Sequence, residues 1–403
     1  MNTRKSSVPH DAGYAGLTKI ADGLPTSYYL DDAHHQREMA SIWRNNWVYT
    51  CRSSEIPAPR SYRTFELGDQ SIFLVRDETG VLRGFYNTCR HRGAALCQNT
   101  HGKFPPAGIV CPYHNWRYGL QGQLRQTSSH LHPEGFELEN FSLYKVAVTE
   151  WNGLVFVALT PDPPPFGNHF DQPLQRFDSW RLGELVSGHT FRKVIACNWK
   201  VFWENYNECL HCPGVHPRLS QLVPIFARGL QDERDDPHWQ QHANNDDPQY
   251  RGGLRHGAQS WTMDGKPVGV LFPGLSDSDR KTGQVYMTCL PSAFIVAHVD
   301  YVRIVRLRPL ATEQTELSVE FLFRPETLQD PARDISSAVE FTNIVMQEDA
   351  DVCELNQRGL HAAPHQHGVV MPEEHLIAAF QKWVKAQLAR APAPPGATTA
   401  TNR

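Results

Sequence analysis

The sequence predicts an α+β protein in two parts, a small all-β domain followed by a larger domain of strands and helices. Three observations predict it. From about residue 60 the chain reads with period two, in YRTFEL and SIFLVRDETGVLRGFYNT, and strand-like runs continue to WNGLVFVALT at 151–160. PDPPP at 161–165 then stops regular structure and reads as a linker. Beyond it, strand patterns at 284–309 and 315–324 precede a segment in which Ile335, Val339, Thr342 and Val345 recur at helical spacing.

Residues 28–48, YYLDDAHHQREMASIWRNNWV, read as a short strand followed by an amphipathic helix, its end packed through Ile42, Trp43 and Trp47. DETG between two alternating runs is a hairpin signal. A helix is expected from Trp199 to Leu210, and the polar stretch 233–253 reads as a long loop. The helix that begins near Ile335 runs on through QEDADVCELNQ, and a last amphipathic helix includes Leu376, Phe380, Val384 and Leu388. The tail APAPPGATTATNR has the composition of a disordered segment, and no internal repeat is present.

With 403 residues, the chain is long enough for two or three cores. Hydrophobic residues at 40% and charged residues at 20% describe a globular protein. A net charge of −4 gives no electrostatic reason to expect nucleic acid, and no apolar run is long enough to span a bilayer. MNTRKSSVPHDAGY lacks the apolar core of a signal peptide, so a cytoplasmic location is expected. Nine cysteines in a chain of this length do not suggest a disulfide framework; clustered with histidine, they read better as metal ligands.

Two such clusters stand out. In the β domain, CRHRGAALC and CPYHNWRYGL contain Cys89-x-His91 and Cys111-x2-His114, two matched pairs on strand–loop segments. Zinc could use all four donors in one tetrahedral site. A [2Fe–2S] cluster could use them as well, with the cysteines on one iron and the histidines on the other. Cys-x-His before Cys-x2-His is an odd order for a zinc finger. CRHRG and CPYH-x-W-x-Y-x-L-x-G-x-L closely resemble the two ligand loops of Rieske domains. Two departures are Asn115, where that family usually has Gly, and a 19-residue spacer between His91 and Cys111. Neither removes a ligand. Cys97 lies outside the pattern and is expected to be a small buried residue.

The second cluster is ENYNECLHCPGVHP, residues 204–217. It is similar to the mononuclear iron motif of the Rieske non-haem iron oxygenases, with Asn198-Trp199-Lys200, Glu204-Asn205, Glu208, His211 and His216 in the motif positions. On that resemblance His211 and His216 bind iron, while Cys209 and Cys212 are bystanders. His211 and His216 are about 140° apart on a regular helix, so the chain must bend between them, and Pro213-Gly214 can supply the bend. Glu208 and His211 share a face, which lets the carboxylate accept from the ring nitrogen that faces away from the metal. A zinc knot or a structural turn are the alternatives. The carboxylate ligand lies in a late helix in the family. QEDADVCELNQRGL resembles that segment and points to Asp349, with Asp351 as the second choice. His361, His365 and His367 are expected to form a surface loop without a metal.

The resemblance spans about residues 25–390 and implies a domain plan. Residues 1–44 would pack on the catalytic domain, 45–160 form the Rieske domain, 161–392 a helix-grip (START-like) mononuclear-iron domain, and 393–403 a disordered tail. It implies a terminal oxygenase with one [2Fe–2S] cluster and one Fe(II) per subunit, using O2 to oxidise a C–H bond or an arene by mono- or dioxygenation. A separate NAD(P)H-dependent flavin and iron–sulfur reductase would supply electrons, since no Gly-rich nucleotide motif is present. A homotrimer is expected, with Glu208 linking an iron histidine to His114 of the partner subunit. Glutamate at 208, where ring-hydroxylating members mostly carry Asp, resembles the branch acting on glycine betaine, carnitine and stachydrine. N-methyl oxidation is therefore the favoured activity. Ring hydroxylation, and an electron carrier without oxygenase activity, are the alternatives. Trp203, Tyr206, Trp261 and Phe272 could face a cationic substrate, but each is expected to be ordinary core.

Overall fold

The computed structural model describes residues 10–131, 134–160 and 162–390. The expected tail at 393–403 lies outside them. The chain divides into two compact units, one of Met39–Pro173 with Cys289–Ala293, the other running to Glu38 and resuming at Leu174–Thr288 and Phe294–Arg390.

The β unit is built on a seven-stranded antiparallel sheet in the order Val48–Arg52, Leu154–Ala158, Lys145–Trp151, Leu82–Tyr86, Gln70–Arg76, Ser61–Leu67, His101–Lys103. Ile72, Phe73, Leu74 and Val75 are all fully buried, so this central strand is covered on both faces and shows no alternation. The DETG hairpin forms as expected: Asp77 accepts from the N–H groups of Thr79 and Val81, and Gly80 takes φ +85°. A second sheet of three short strands, Ile109–Val110, Arg117–Tyr118 and Leu124–Gln126, carries the later Cys/His loop.

The larger unit holds a five-stranded sheet in the order Val186–Ile195, Gln314–Phe323, Val302–Ala311, Ala293–His298, Gln284–Cys289. Leu317, Val319 and Phe321 are buried on one face of its second strand, while Ser318 and Glu320 point the other way. The helix Ser336–Leu360 is pinned to neighbouring elements where Ala196 N–H donates to the Glu354 carboxylate (3.0 Å) and Asn198 N–H to the Gln357 amide oxygen (2.9 Å). Its buried stripe is Ala338, Phe341, Thr342, Met346, Ala350, Cys353 and Gln357.

The sequence reading also differs from the structure in the helices and in the polar stretch. Tyr28–Leu30 is helical, and the strand lies earlier, at Ala21–Pro25, paired with His367–Val370. The helix that begins at Trp199 stops at Tyr206, because the cap at Asn207 turns its N–H back to Trp203 and Glu204. In the helix His375–Leu388, Ile377 takes the buried position and Leu376 is 41% exposed. The polar stretch 233–253 is not merely solvated: it forms short helical turns and buries Asp235 and Asp236.

Candidate metal centres

Two loops of the β unit bring the first donor set together. After the strand Leu82–Tyr86, Cys89 donates its N–H to the Ala94 carbonyl (2.8 Å) and accepts from Gly93 N–H (2.9 Å). Gly93 has φ +77°, which glycine adopts without a Cβ clash. After Ile109–Val110, Cys111 donates to the Trp116 carbonyl (2.8 Å) and accepts from Asn115 N–H (3.1 Å). Asn115 sits at φ +56°. That turn explains why glycine is usual here, and asparagine is among the few other side chains that tolerate the left-handed region.

The sulfurs are inside and the imidazoles outside. Cys89 and Cys111 are 3% and 1% exposed, whereas His91 is exposed and His114 half-buried. Cys89 Sγ lies 3.2 Å from the Tyr118 hydroxyl, which accepts from Arg90 N–H at 3.1 Å. The His91 and His114 rings are 4.6 Å apart, with Trp116 stacked on His91 at 4.8 Å. Buried thiols at one end and rim imidazoles at the other suit a two-iron cluster with chemically different ends. Burial pushes the Cys89 thiol up, so its thiolate charge arrives with the metal. Cys97 is a buried core residue, its thiol pushed up to about 12 by burial.

The second donor set is assembled from a bent segment and the helix Ser336–Leu360. His211 precedes the short helix Cys212–Val215, and His216 stands between it and Pro217–Leu222 with φ −115°, ψ 70°. The bend thus falls at His216, one residue before Pro217, rather than at Pro213-Gly214. Proline disfavours the helical conformation in the residue before it, and here that residue leaves the helix. His211 Nε2 and His216 Nε2 are 3.1 Å apart. Asp349 Oδ1 lies 2.9 Å from His216 Nε2 and 3.5 Å from His211 Nε2. Three donor atoms converge on one point, and two imidazoles with one carboxylate suit Fe(II) with positions left open.

Carboxylates hold the far side of each ring. Glu208 bonds His211 Nδ1, and Glu348 Oε2 lies 2.8 Å from His216 Nδ1. These contacts fix both ring orientations and direct each Nε2 inward. Burial alone would lower the His211 pKa, but Asp349 and Glu208 hold it up to about 9. Against the same burial, Asp349 and Glu348 raise His216, and the two imidazoles lower Asp349. The site is electrostatically prepared for a cation.

Asp351 lies apart, exposed and accepting from Gln347 at 2.6 Å. Cys209 and Cys212 are joined in a disulfide, Cα–Cα 4.9 Å, a pairing the sequence reading did not foresee. The turn brings their sulfurs together at i, i+3. Cys212 Sγ is 3.9 Å from His211 Nε2, but a disulfide sulfur is no thiolate, and Asp349 is nearer. His361 pairs with Glu313 at 2.7 Å, and the histidines at 361, 365 and 367 form no metal-binding group among the described residues. Glu348 was missed from the sequence, although it directly precedes Asp349.

A cavity of about 80 Å³ opens on His211, His216 and Asp349, walled by Tyr206, Phe226, Trp261, Tyr286 and Phe294. Tyr206 stacks on Phe294 at 4.0 Å. Trp203 is buried beside this wall and Phe272 lies elsewhere in the core. A larger cavity of about 350 Å³, lined by Tyr29, Glu204, Cys353 and Gln381, also reaches Glu208 and His211.

Fold and donor sets together define a Rieske-type oxygenase subunit. Residues 177–390 match the ring hydroxylating alpha subunit (catalytic domain) and residues 46–141 the Rieske [2Fe–2S] domain, and the chain belongs to this family. It is therefore an oxidoreductase whose subunit carries a [2Fe–2S] cluster and a mononuclear iron. The glycine betaine monooxygenase oxygenase subunit of Chromohalobacter salexigens is 29% identical, over 86% of this chain and 81% of the relative. The carnitine monooxygenase oxygenase subunit of Acinetobacter pittii is 27% identical, over 91% and 94%. Among solved structures, the quaternary ammonium Rieske monooxygenase CntA in complex with L-carnitine superposes with a TM-score of 0.67 at 23% identity, covering 91% and 96%. Naphthalene 1,2-dioxygenase from a Rhodococcus species bound to indole gives 0.65 at 20%, covering 92% and 95%. These structural likenesses support the α+β fold with its N-terminal Rieske domain.

Proposed function

We propose that this protein is the terminal oxygenase of a multicomponent system and hydroxylates an N-methyl group of a betaine-type quaternary ammonium compound. The observation that carries this reading is the aromatic chamber opening directly on His211, His216 and Asp349. A trimethylammonium group has no N–H to donate, and aromatic faces attract it by about 0.5–2 kcal/mol each. The relatives named for glycine betaine and carnitine support the same substrate class.

Within this reading, Cys89, His91, Cys111 and His114 hold the cluster, and His211, His216 and Asp349 hold the iron. Held by these residues, the cluster would supply electrons and the iron would supply O2 activation for C–H hydroxylation. Glu208 and Glu348 keep the iron-site imidazoles oriented. Glu208 reaches both cavities, and in a homotrimer it would meet His114 of the partner subunit and join the two centres. The electrons come from NAD(P)H through a separate flavin and iron–sulfur reductase. Residues 45–160 are assigned to the Rieske domain and 161–392 to the catalytic domain, in the cytoplasm. No helix among the described residues is long and apolar enough to cross a membrane.

The N-hydroxymethyl product then loses its hydroxyl proton. Its C–N electron pair returns to nitrogen, and formaldehyde and a tertiary amine depart. The test is the reconstituted holoenzyme with a surrogate reductase, NADH and a panel of betaines and aromatic acids. Formaldehyde formed in step with oxygen uptake supports the reading. Oxygen uptake with a hydroxylated ring and no formaldehyde would overturn it.

A further inference from the structure

The chamber beside the candidate iron ligands contains a buried cation with no ion-pair partner among the described residues. Arg303 lines the same cavity as His216, Asp349 and Tyr286. It is only 7% exposed, and its Nε is buried without a hydrogen-bond partner. Among the described residues no carboxylate pairs with it. The strand Val302–Ala311 explains its placement. Arg303 lies opposite Phe321 in register, on the face that buries Val305 and Leu307. Arg308, on the other face, has Glu316 at 3.2 Å. A guanidinium stays charged at any pH the protein meets, and burying it unpaired costs several kcal/mol. Such a cost is expected where a ligand supplies the missing anion.

We propose that Arg303 anchors a substrate carboxylate, so that the chamber selects zwitterions bearing both a quaternary ammonium group and a carboxylate over plain cations such as choline. The inference rests on the N-methyl oxidation reading and assigns the residue that holds the carboxylate end of its substrate. One wall of the chamber offers aromatic faces to the ammonium end, and Arg303 offers a planar fork of donors that matches a carboxylate. The two ends fix which methyl group faces His211, His216 and Asp349.

The test compares wild type with Arg303→Gln and Arg303→Lys, all reconstituted with iron and cluster. Equilibrium binding of glycine betaine and of choline is followed by calorimetry, beside KM and kcat for formaldehyde release and the melting temperature of each ligand-free protein. We expect Arg303→Gln to weaken glycine betaine binding by about 10- to 100-fold, with Arg303→Lys between it and wild type. Choline binding should stay within about threefold, or improve, once an unpaired buried charge is removed. The ligand-free Arg303→Gln protein should melt no lower than wild type. An unchanged affinity for glycine betaine would overturn the assignment. Equal loss for both ligands with a fall in melting temperature would also overturn it, because that pattern marks a structural role. Formaldehyde from no substrate at all would defeat the parent reading alone: the carboxylate-selective loss of binding would still stand as measured.

Discussion

Lys200 offers the sharpest test of how the catalytic unit is held together. It is 0% exposed, as is its partner Glu38. Its Nζ lies 2.7 and 2.8 Å from the two carboxylate oxygens and 2.7 Å from Asn198 Oδ1. Burial lowers the lysine pKa, and Lys200 in turn draws Glu38 below the ordinary carboxylate range against the burial that would raise it. Among the described residues, replacing Lys200 with Met leaves the buried Glu38 with Trp199 Nε1 at 2.8 Å and His34 Nε2 farther off at 3.4 Å. Breaking a buried pair from one side costs about 3–5 kcal/mol. The bond kept from Trp199 places this case near the lower end, at about 3 kcal/mol. For a unit of this size, that corresponds to a fall of about 6–12 °C in melting temperature. Differential scanning calorimetry reads the shift. The double variant Lys200→Met with Glu38→Leu should regain most of the loss, since no charge is left stranded. A fall below about 2 °C, or a double variant no better than the single, would refute the reasoning. The consequence reaches the iron site, because Asn198 and Lys200 begin the helix Trp199–Tyr206 that leads to Glu208 and His211.

Other perturbations separate the candidate ligands from their neighbours. Asp349→Ala should lose the mononuclear iron but keep the cluster's iron, sulfide and visible absorption, while Asp351→Ala keeps all of them; metal analysis and spectroscopy read both. Glu348→Gln should weaken iron affinity by about 10- to 100-fold without removing a ligand, measured by competition with a chelator. A third prediction concerns acid. Burial would raise the pKa of Asp279, but the Arg176 side chain and Ser276 hold it below the usual carboxylate value. A depressed pKa in the folded state contributes stability above the unfolded value, near 4, and that stability is lost as pH falls through the folded value. Asp279→Asn should therefore melt well below wild type at pH 7, and the gap should narrow below about pH 4.

The parts of this protein that were legible from sequence are those set by short spacing. Cys89-x-His91 and Cys111-x2-His114 specify two loops, and the glutamate three residues before His211 specifies its partner, because i, i+3 neighbours meet on any turn. Glu348 needed more, since only the packing of a helix more than a hundred residues away brings it to His216. The helix end at Tyr206 and the pairing of Cys209 with Cys212 depended on where one turn closed, which propensity does not decide.

Arg303 shows where the limit lies. In RIVRLR, period two already places Arg303 on one face and Arg306 and Arg308 on the other. Parity says nothing about which face is the core. Counting charge alone would put two arginines outside and leave the third as an error. The partner strand decides it: Leu317, Val319 and Phe321 bury the face of Arg303, while Glu316 meets Arg308 on the opposite side. A rule broken at a single position of this strand, inside a chamber lined by the candidate metal ligands, is the mark of a residue placed for a ligand rather than for the fold.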